Sequence, residues 1–304
     1  MNDIDISYIA SDIAEDLKQK LDRCGFYYRI FSRQKSKQSI DQKLRLKGDE
    51  YRNTGSKMQD IIGIRIACYF REDINLIYHE LLKLDTNIPE NNSIDNFDDG
   101  TFRPQRLNMI FRMKESHSTQ LLDQLRNSEY IDLIDTTYEI QLRSILSEGW
   151  HEVEHDLRYK CKSEWHGLDE ESRMLNGIYA TLETSERAMG KLFQDVAYTH
   201  FKNNRWAAMF RNHFYIRVLE QEMNPQFTEL FNENNDIPKQ ILRYSKQSLV
   251  SLLFRMPLHL PLSIDNLIFI INRASIKNDR IMSLEQASIK PFLDPIDKMA
   301  SVIQ

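Results

Sequence analysis

The run Ile61-Ile62-Gly63-Ile64-Arg65-Ile66-Ala67-Cys68-Tyr69-Phe70 sets the tightest limit on what this chain can become. Short, β-branched and flanked by polar residues, it has the pattern of a strand buried at the centre of a sheet. A second segment, Tyr138 to Arg143, alternates strictly. It puts Glu139, Gln141 and Arg143 on one face and Tyr138, Ile140 and Leu142 on the other. Elsewhere the apolar period changes to that of helices. Ile9, Ile13, Leu17 and Leu21 recur every four residues and predict an amphipathic helix that Gly25 ends. Ile74 to Leu84 and Ser118 to Arg126 predict further helices, and Phe26 to Phe31 and Leu107 to Met113 predict strands. Asn87 to Thr101, rich in Asn, Asp and Pro, predicts a surface loop. From Ser144 onward nearly everything has helical spacing, including Asp169 to Val196, which offers Leu175, Ile178, Leu182, Met189 and Leu192 for burial. The expected fold class is therefore α/β (α+β): a mixed β-sheet flanked by helices, with an α-helical C-terminal extension.

With 304 residues, two modest domains are expected, at 1–196 and 197–304. In the second, Tyr198, Phe201, Trp206, Phe210, Phe214 and Tyr215 approximate the spacing of a core face. Only nine glycines occur, and none form G-x-G-x-x-G or a P-loop, which excludes the usual dinucleotide and nucleoside-triphosphate fingerprints. Cys24, Cys68 and Cys161 lack metal-type spacing and read as reduced, buried thiols, which suits the cytoplasm. The acidic start Met1-Asn2-Asp3-Ile4-Asp5 is unlike a signal peptide. The most apolar C-terminal stretch, Leu249 to Ile271, is broken by Arg255, Pro257, His259, Pro261 and Asp265, so no membrane span is expected. Net charge is −5, so any role with polyphosphate or nucleic acid must rest on a local patch. One exists: between residues 29 and 47, Arg29, Arg33, Lys35, Lys37, Lys43, Arg45 and Lys47 stand against Asp41 alone.

Four constellations carry chemistry. In Arg33 to Lys43, the residues Lys35, Ser39 and Lys43 follow at steps of four and would form one stripe of a helix, with Ile40 and Leu44 opposite. Two ammonium groups and a hydroxyl suit a triphosphate, and a solvated basic face is the plainer alternative. In Asp60 to Arg65, an acid stands at the mouth of an apolar strand that carries a guanidinium. Five positions apart, the two face opposite sides of a regular strand, so either Asp60 precedes it or Gly63 marks a bulge; a structural ion pair is the plainer reading. Glu139, Gln141 and Arg143 make a polar face fit for ligands, or for an exposed edge. In the fourth, Trp150, Val153, Leu157 and Cys161 predict a buried stripe that includes Glu154. Here His151-Glu152-Val153-Glu154-His155 also spells H-E-x-x-H, a zinc-protease pattern, but no third ligand follows it.

Together, R-x-K-x-x-x-S-I-x-x-K, D-I-x-G-x-R, E-I-Q-x-R and W-x-x-x-E-H-x-x-x-Y-K, in this order across residues 25 to 160, resemble the synthetase domain of the RelA/SpoT family. The resemblance implies a sheet related to nucleotidyltransferases, within 1–196, and transfer of pyrophosphate from ATP to the 3′-hydroxyl of GDP or GTP, giving (p)ppGpp. It implies that Arg33 and Arg65 stack on adenine while Lys35, Ser39 and Lys43 hold phosphates. Asp60 and Glu139 would bind Mg²⁺, and Glu139 would accept the proton of the attacking hydroxyl. Asn108, Gln141 and Arg143 would serve the acceptor, and Glu154, His155 and Lys160 would complete the cleft.

One block departs from the family. Where it has G-Y-x-S-x-H, this chain reads Arg103-Pro104-Gln105-Arg106-Leu107-Asn108, with Pro104 in the place of the tyrosine, Arg106 of the serine and Asn108 of the histidine; Phe102 lies two positions earlier. The departure leaves the acceptor open. Arg103 and Arg106 suit a larger one, as in toxin-like members that modify the 3′ end of tRNA, and a non-catalytic nucleotide sensor is the third reading. The residues of this chain before the synthetase blocks carry no metal-dependent hydrolase motif, so self-removal of product is not expected. In the C-terminal region His200, Lys202, Arg205, Arg211, His213 and Arg217 stand beside aromatics and could contact RNA, or simply face solvent; the region could equally support a homo-oligomer.

Overall fold

The computed structural model describes residues 5–94, 107–126, 128, 130–219, 222–257 and 260–303. They divide into two compact units, Met1–Lys18 with Tyr28–Glu186, and Gln19–Tyr27 with Arg187–Gln304.

The first unit contains the expected mixed sheet. Its strands are β1 (Tyr28–Gln34), β2 (Ile62–Cys68), β3 (Ser93–Ile94), β4 (Leu107–Arg112) and β5 (Thr137–Ser144), in the order β1-β2-β5-β4-β3. β2 and β5 are parallel and the other neighbours antiparallel. The isoleucine run explains why β2 is central: Ile62, Ile64 and Ile66 are fully buried, together with Ile140 and Met109 on the same face. β1 is an edge strand and longer than its apolar pattern suggests, because it continues through Arg33 to Gln34 by pairing with β2 from Cys68 to Ile62.

The helices α2 (Lys37–Thr54), α3 (Arg71–Leu81), α4 (Glu115–Leu125) and α5 (Ile145–Glu154) belong to this unit, as do the first parts of α1 (Ser7–Arg23) and α6 (Asp169–Lys202), whose last parts, from Gln19 and from Arg187, belong to the second. Ile9, Ile13, Leu17 and Leu21 are buried, as the four-residue repeat requires. α6 differs from its pattern: Ile178 and Leu192 are exposed, and Tyr179, Glu186 and Ala197 hold the buried line instead. Both lines have helical spacing, so the sequence alone does not choose between them.

The second unit is helical: α7 (Trp206–Phe214), α8 (Pro225–Glu233), α9 (Asp236–Arg243), α10 (Lys246–Arg255), α11 (Ile264–Ile271), α12 (Asp279–Ser283) and α13 (Lys290–Ile303). Trp206, Phe210, Phe214, Phe227 and Phe231 are buried in its core, whereas Tyr198 is half exposed. His213, one of the candidate RNA contacts, is buried; one ring nitrogen lies 3.0 Å from the Tyr244 carbonyl, and burial holds its pKa below the ordinary value. It is a core residue. Among the described residues, no helix is long and apolar enough to cross a membrane.

Candidate active site

The pairing register gathers the polar residues of four strands on one face. Gly63 pairs with both Arg33 and Glu139, and Arg65 pairs with Phe31 and Gln141. Gln141 also pairs with Asn108. Partners directly across a ladder share a face, so Arg33, Arg65, Glu139, Gln141, Arg143 and Asn108 stand together, as the alternation of β5 predicts. Asn108 Oδ1 is buried there without a hydrogen-bond partner.

Asp60 lies just before β2, and the register runs through Gly63 without a bulge. Its neighbours are held on both sides: Met58 exchanges backbone bonds with the segment before β5, through Leu133 and Asp135, and Lys35 N–H donates to the Ile61 carbonyl at 2.8 Å. A Cβ at Gly63 would rest in ordinary van der Waals contact on the Arg33 side chain, 3.6 Å from Nε and 3.7 Å from Cγ, so the strand packs directly against that arginine.

The expected lysine stripe is only partly a helix stripe. Ser36 caps α2, its hydroxyl accepting from Ser39 N–H, so Lys35 stands outside the helix. The Ser39 hydroxyl is shared with Ser36 Oγ at 2.8 Å, at the exposed helix start. The two lysines nevertheless converge, on Asp60. Lys35 Nζ donates to Oδ2 at 2.5 Å, and Lys43 Nζ donates to Oδ1 at 2.9 Å and Oδ2 at 2.8 Å. Burial alone would raise the Asp60 pKa, but the hydrogen bonds and charges of both lysines outweigh it and hold the carboxyl below its ordinary value. Burial likewise pulls both lysines down. For Lys43 the bond to Asp60 overcomes it and the net shift is upward; for Lys35 burial prevails, aided by the charges of Lys43 and Arg33.

A hydrogen-bonded chain runs across the face. Gln141 Nε2 donates to Glu139 Oε2 at 2.7 Å, while Gln141 Oε1 accepts from Arg65 Nε at 3.2 Å. Arg65 Nη1 is paired with Glu148 and, at 3.2 Å, with Glu152. Arg143 is buried against Glu148 Oε2 at 3.0 Å. Its guanidinium borders the cleft and is engaged with that carboxylate.

Beside this network opens a cleft of about 510 Å³, lined by Arg33, Arg65, Gln141, Arg143, His151, Glu152, His155, Asp156, Tyr159 and Lys160. Its far wall departs from the predicted buried stripe. Trp150 is buried, but Val153 and Leu157 are exposed and Cys161 is only half-buried. Val153 is exposed within α5 itself; beyond it, α5 ends at Glu154 and His155–Tyr159 forms a wider π-helical turn, which changes the residue period for Leu157 and Cys161. His155 and Tyr159 stack there at 5.6 Å, and Asp156 Oδ1 bridges His155 Nδ1 and Lys160 Nζ at 3.0 and 2.7 Å. Glu154 does not line the cleft; it pairs with Arg158 at 3.2 Å, which also bonds Asn176 and lies over Trp150 and Trp165. The H-E-x-x-H residues do not assemble as a zinc site. Glu152 is turned to Arg65 and His155 to Asp156, and among the described residues no group of three His, Cys, Asp or Glu could hold a metal ion.

The altered segment Phe102 to Arg106 lies outside the described residues. The sequence pattern does not single out Glu148; its one signal, spacing of four from Glu152 on a helix that leaves β5 directly, gains meaning only once Arg65 is known to lie beside both.

Residues 32–164 match the family model described as the region found in RelA / SpoT proteins, so the resemblance carried by the four blocks holds over the segment that contains them. No curated protein matches the chain. Similar solved structures include small alarmone synthetase 2 from Bacillus subtilis, 19% identical over 62% of this chain and 94% of that one, with a TM-score of 0.45. Another is small alarmone synthetase 1 from the same organism bound to its product pppGpp, 19% identical over 63% and 94%, TM-score 0.43. A third is a GTP pyrophosphokinase family protein from Streptococcus pneumoniae, 17% identical over 62% and 89%, TM-score 0.40.

Proposed function

With residues 32–164 carrying the region found in RelA / SpoT proteins, we propose that the chain is a pyrophosphokinase that transfers the β,γ-pyrophosphate of ATP to the 3′-hydroxyl of GDP or GTP. The observation that carries this reading is the convergence of Lys35 and Lys43 on Asp60 at the mouth of β2, on a sheet whose polar face holds Glu139.

Arg33 and Arg65 line the cleft with planar cations suited to stacking on the donor base. Lys35 and Lys43 are already side by side and take the phosphates of the donor, exchanging one anion, Asp60, for another. Glu139 keeps Oε2 on Gln141 and presents Oε1 to the acceptor hydroxyl. As the hydroxyl oxygen bonds to the β-phosphorus, its proton passes to Glu139, the bond from the β-phosphorus to the α-phosphate oxygen breaks, and AMP leaves.

Mg²⁺ takes oxygen ligands and is commonly held by one or two carboxylates together with substrate phosphates. Asp60 and Glu139 fit that donor set, Asp60 becoming available as the lysines turn to phosphate. When bound, the ion would neutralise charge on the transferring pyrophosphate.

The test measures AMP release from ATP with Mg²⁺ and, in parallel, GDP, GTP or deacylated tRNA, with Glu139→Gln as control. AMP formed with a guanine nucleotide and reduced about 10²- to 10⁴-fold by the substitution is the expected result. AMP formed only with tRNA would replace the acceptor, and ATP binding without AMP in any mixture would overturn the enzymatic reading. A Glu139→Gln protein with undiminished turnover would remove Glu139 as the base.

A further inference from the structure

Arg65 lies in β2 between the fully buried Ile64 and Ile66, and its side chain is only 20% exposed. A guanidinium in such a place needs anions around it. The main one comes from α5. Glu148, whose side chain is 8% exposed, pairs one oxygen with Arg65 Nη1 and gives the other to Arg143 Nη1 at 3.0 Å. A single carboxylate therefore ties together guanidinium groups from two adjacent parallel strands. Gln141 closes the ring, its Oε1 accepting from Arg65 Nε at 3.2 Å and Arg143 Nη2 at 3.5 Å. Glu152 also meets Arg65 Nη1 at 3.2 Å, but it is 68% exposed and screened by water. The start of α5 is fixed by Ser144, the last residue of β5, whose hydroxyl accepts from Ser147 N–H at 3.1 Å. The helix thus leaves the sheet at the position that sets Glu148 over both arginines.

We propose that Glu148 is a positioning residue for the donor nucleotide. It holds the guanidinium plane of Arg65 in place before the nucleotide arrives, so that one wall of the base site is pre-formed and binding need not order it. The inference rests on the reading of Arg65 as a wall of that site. It makes a prediction opposite in sign to that of charge alone. Removing a carboxylate makes the cleft more positive, which by itself strengthens binding of a polyanion; loss of positioning weakens it.

The experiment measures ATP binding by equilibrium dialysis, without acceptor, for the wild type, Glu148→Gln, Glu15→Gln, Arg65→Ala and the Arg65→Ala/Glu148→Gln double variant. Glu148→Gln should bind ATP about tenfold more weakly, the loss expected for a buried charge-assisted contact, while Glu15→Gln, which removes an exposed carboxylate outside the cleft lining, changes binding by less than about twofold. The double variant should bind no more weakly than Arg65→Ala alone, because both changes remove one interaction. In turnover assays at saturating ATP, Glu148→Gln should raise the ATP KM and leave kcat nearly unchanged. ATP binding by Glu148→Gln as tight as the wild type or tighter, or losses that add in the double variant, would overturn the proposal. If Glu148→Gln does not fold, Glu148→Asp keeps the charge but is one methylene short; wild-type affinity in that variant would overturn the proposal equally. A wild type that binds ATP and makes no AMP defeats the pyrophosphokinase reading while the binding cycle still decides this one; a wild type that does not bind ATP defeats both.

Discussion

Replacing Asp60 by Asn should move stability and nucleotide affinity in opposite directions. The carboxylate accepts three hydrogen bonds, at 2.5, 2.8 and 2.9 Å, from two ammonium groups. The side chains are between a fifth and a third exposed, 27% for Asp60 itself, so water screens part of the interaction. An Asn keeps one acceptor and turns its amide hydrogens toward a cation. The net cost of a bond to a charged group, discounted for that exposure, is about 1–2 kcal/mol. For a unit of this size that is a fall in Tm of roughly 3–6 °C. The folded carboxyl is held below its ordinary value of 3.8, so its contribution is complete above that value and disappears as pH falls through the lower, folded one. The deficit of the variant should therefore be full at pH 7 and shrink in acid. Meanwhile two lysines lose their resident anion, and ATP binding in the presence of a chelator should tighten by roughly twofold to fivefold, the worth of a partly exposed charge pair. Thermal unfolding across pH and equilibrium dialysis with ATP measure both quantities. Weaker ATP binding by the variant, or a deficit that stays constant into acid, would refute the idea that Asp60 and phosphate compete for the same two cations.

Three further outcomes follow from local physics. Ser36→Ala removes the cap of α2 and should cost about 1 kcal/mol, read by chemical denaturation; an unchanged midpoint would mean the helix start is held otherwise. Gly25 adopts φ +71°, and a Cβ there would lie 2.9 Å from the Arg217 carbonyl oxygen, so Gly25→Ala should destabilise the second unit by about 1 kcal/mol or more, visible as lost amide protection in that unit. Glu186 is buried, and burial raises its pKa above 4.5 despite help from Ser144 and Arg71. The native state thus takes up this proton first, and stability falls as pH rises from 4.5 through the folded value. Glu186→Gln should flatten that slope; an identical slope in the variant would show that Glu186 is not its source.

Much of the site was legible because several of its parts are periodic. Strict alternation from Tyr138 to Arg143 placed Glu139, Gln141 and Arg143 on one face, and the ladder kept them there. The order of the four blocks pointed to the family whose region spans 32–164. Two of the departures have a common cause. Lys35, Ser39 and Lys43 fit a helical stripe, but capping by Ser36 starts the helix two residues after Lys35. Trp150, Val153, Leu157 and Cys161 fit another, but the π-helical turn at His155–Tyr159 shifts the period for Leu157 and Cys161. In both cases a short-range hydrogen-bond choice overrode a pattern that assumes one regular helix.

Sequence by itself determined most of the segments that become strands and helices, though not β3, which lies within the stretch from Asn87 read as a loop and forms by pairing with β4; it also determined which residues a strand presents together, because the two-residue and near-four-residue periods are properties of the local backbone. Only the tertiary structure decided that Lys35 and Lys43 meet over Asp60, seventeen or more positions away along the chain, and that Glu148 sits between Arg65 and Arg143. Those meetings depend on strand order, on the register that pairs Gly63 with Glu139, and on where a helix leaves a strand. Such long-range geometry is fixed by burial of the isoleucine face as a whole, and no window of neighbouring residues encodes it.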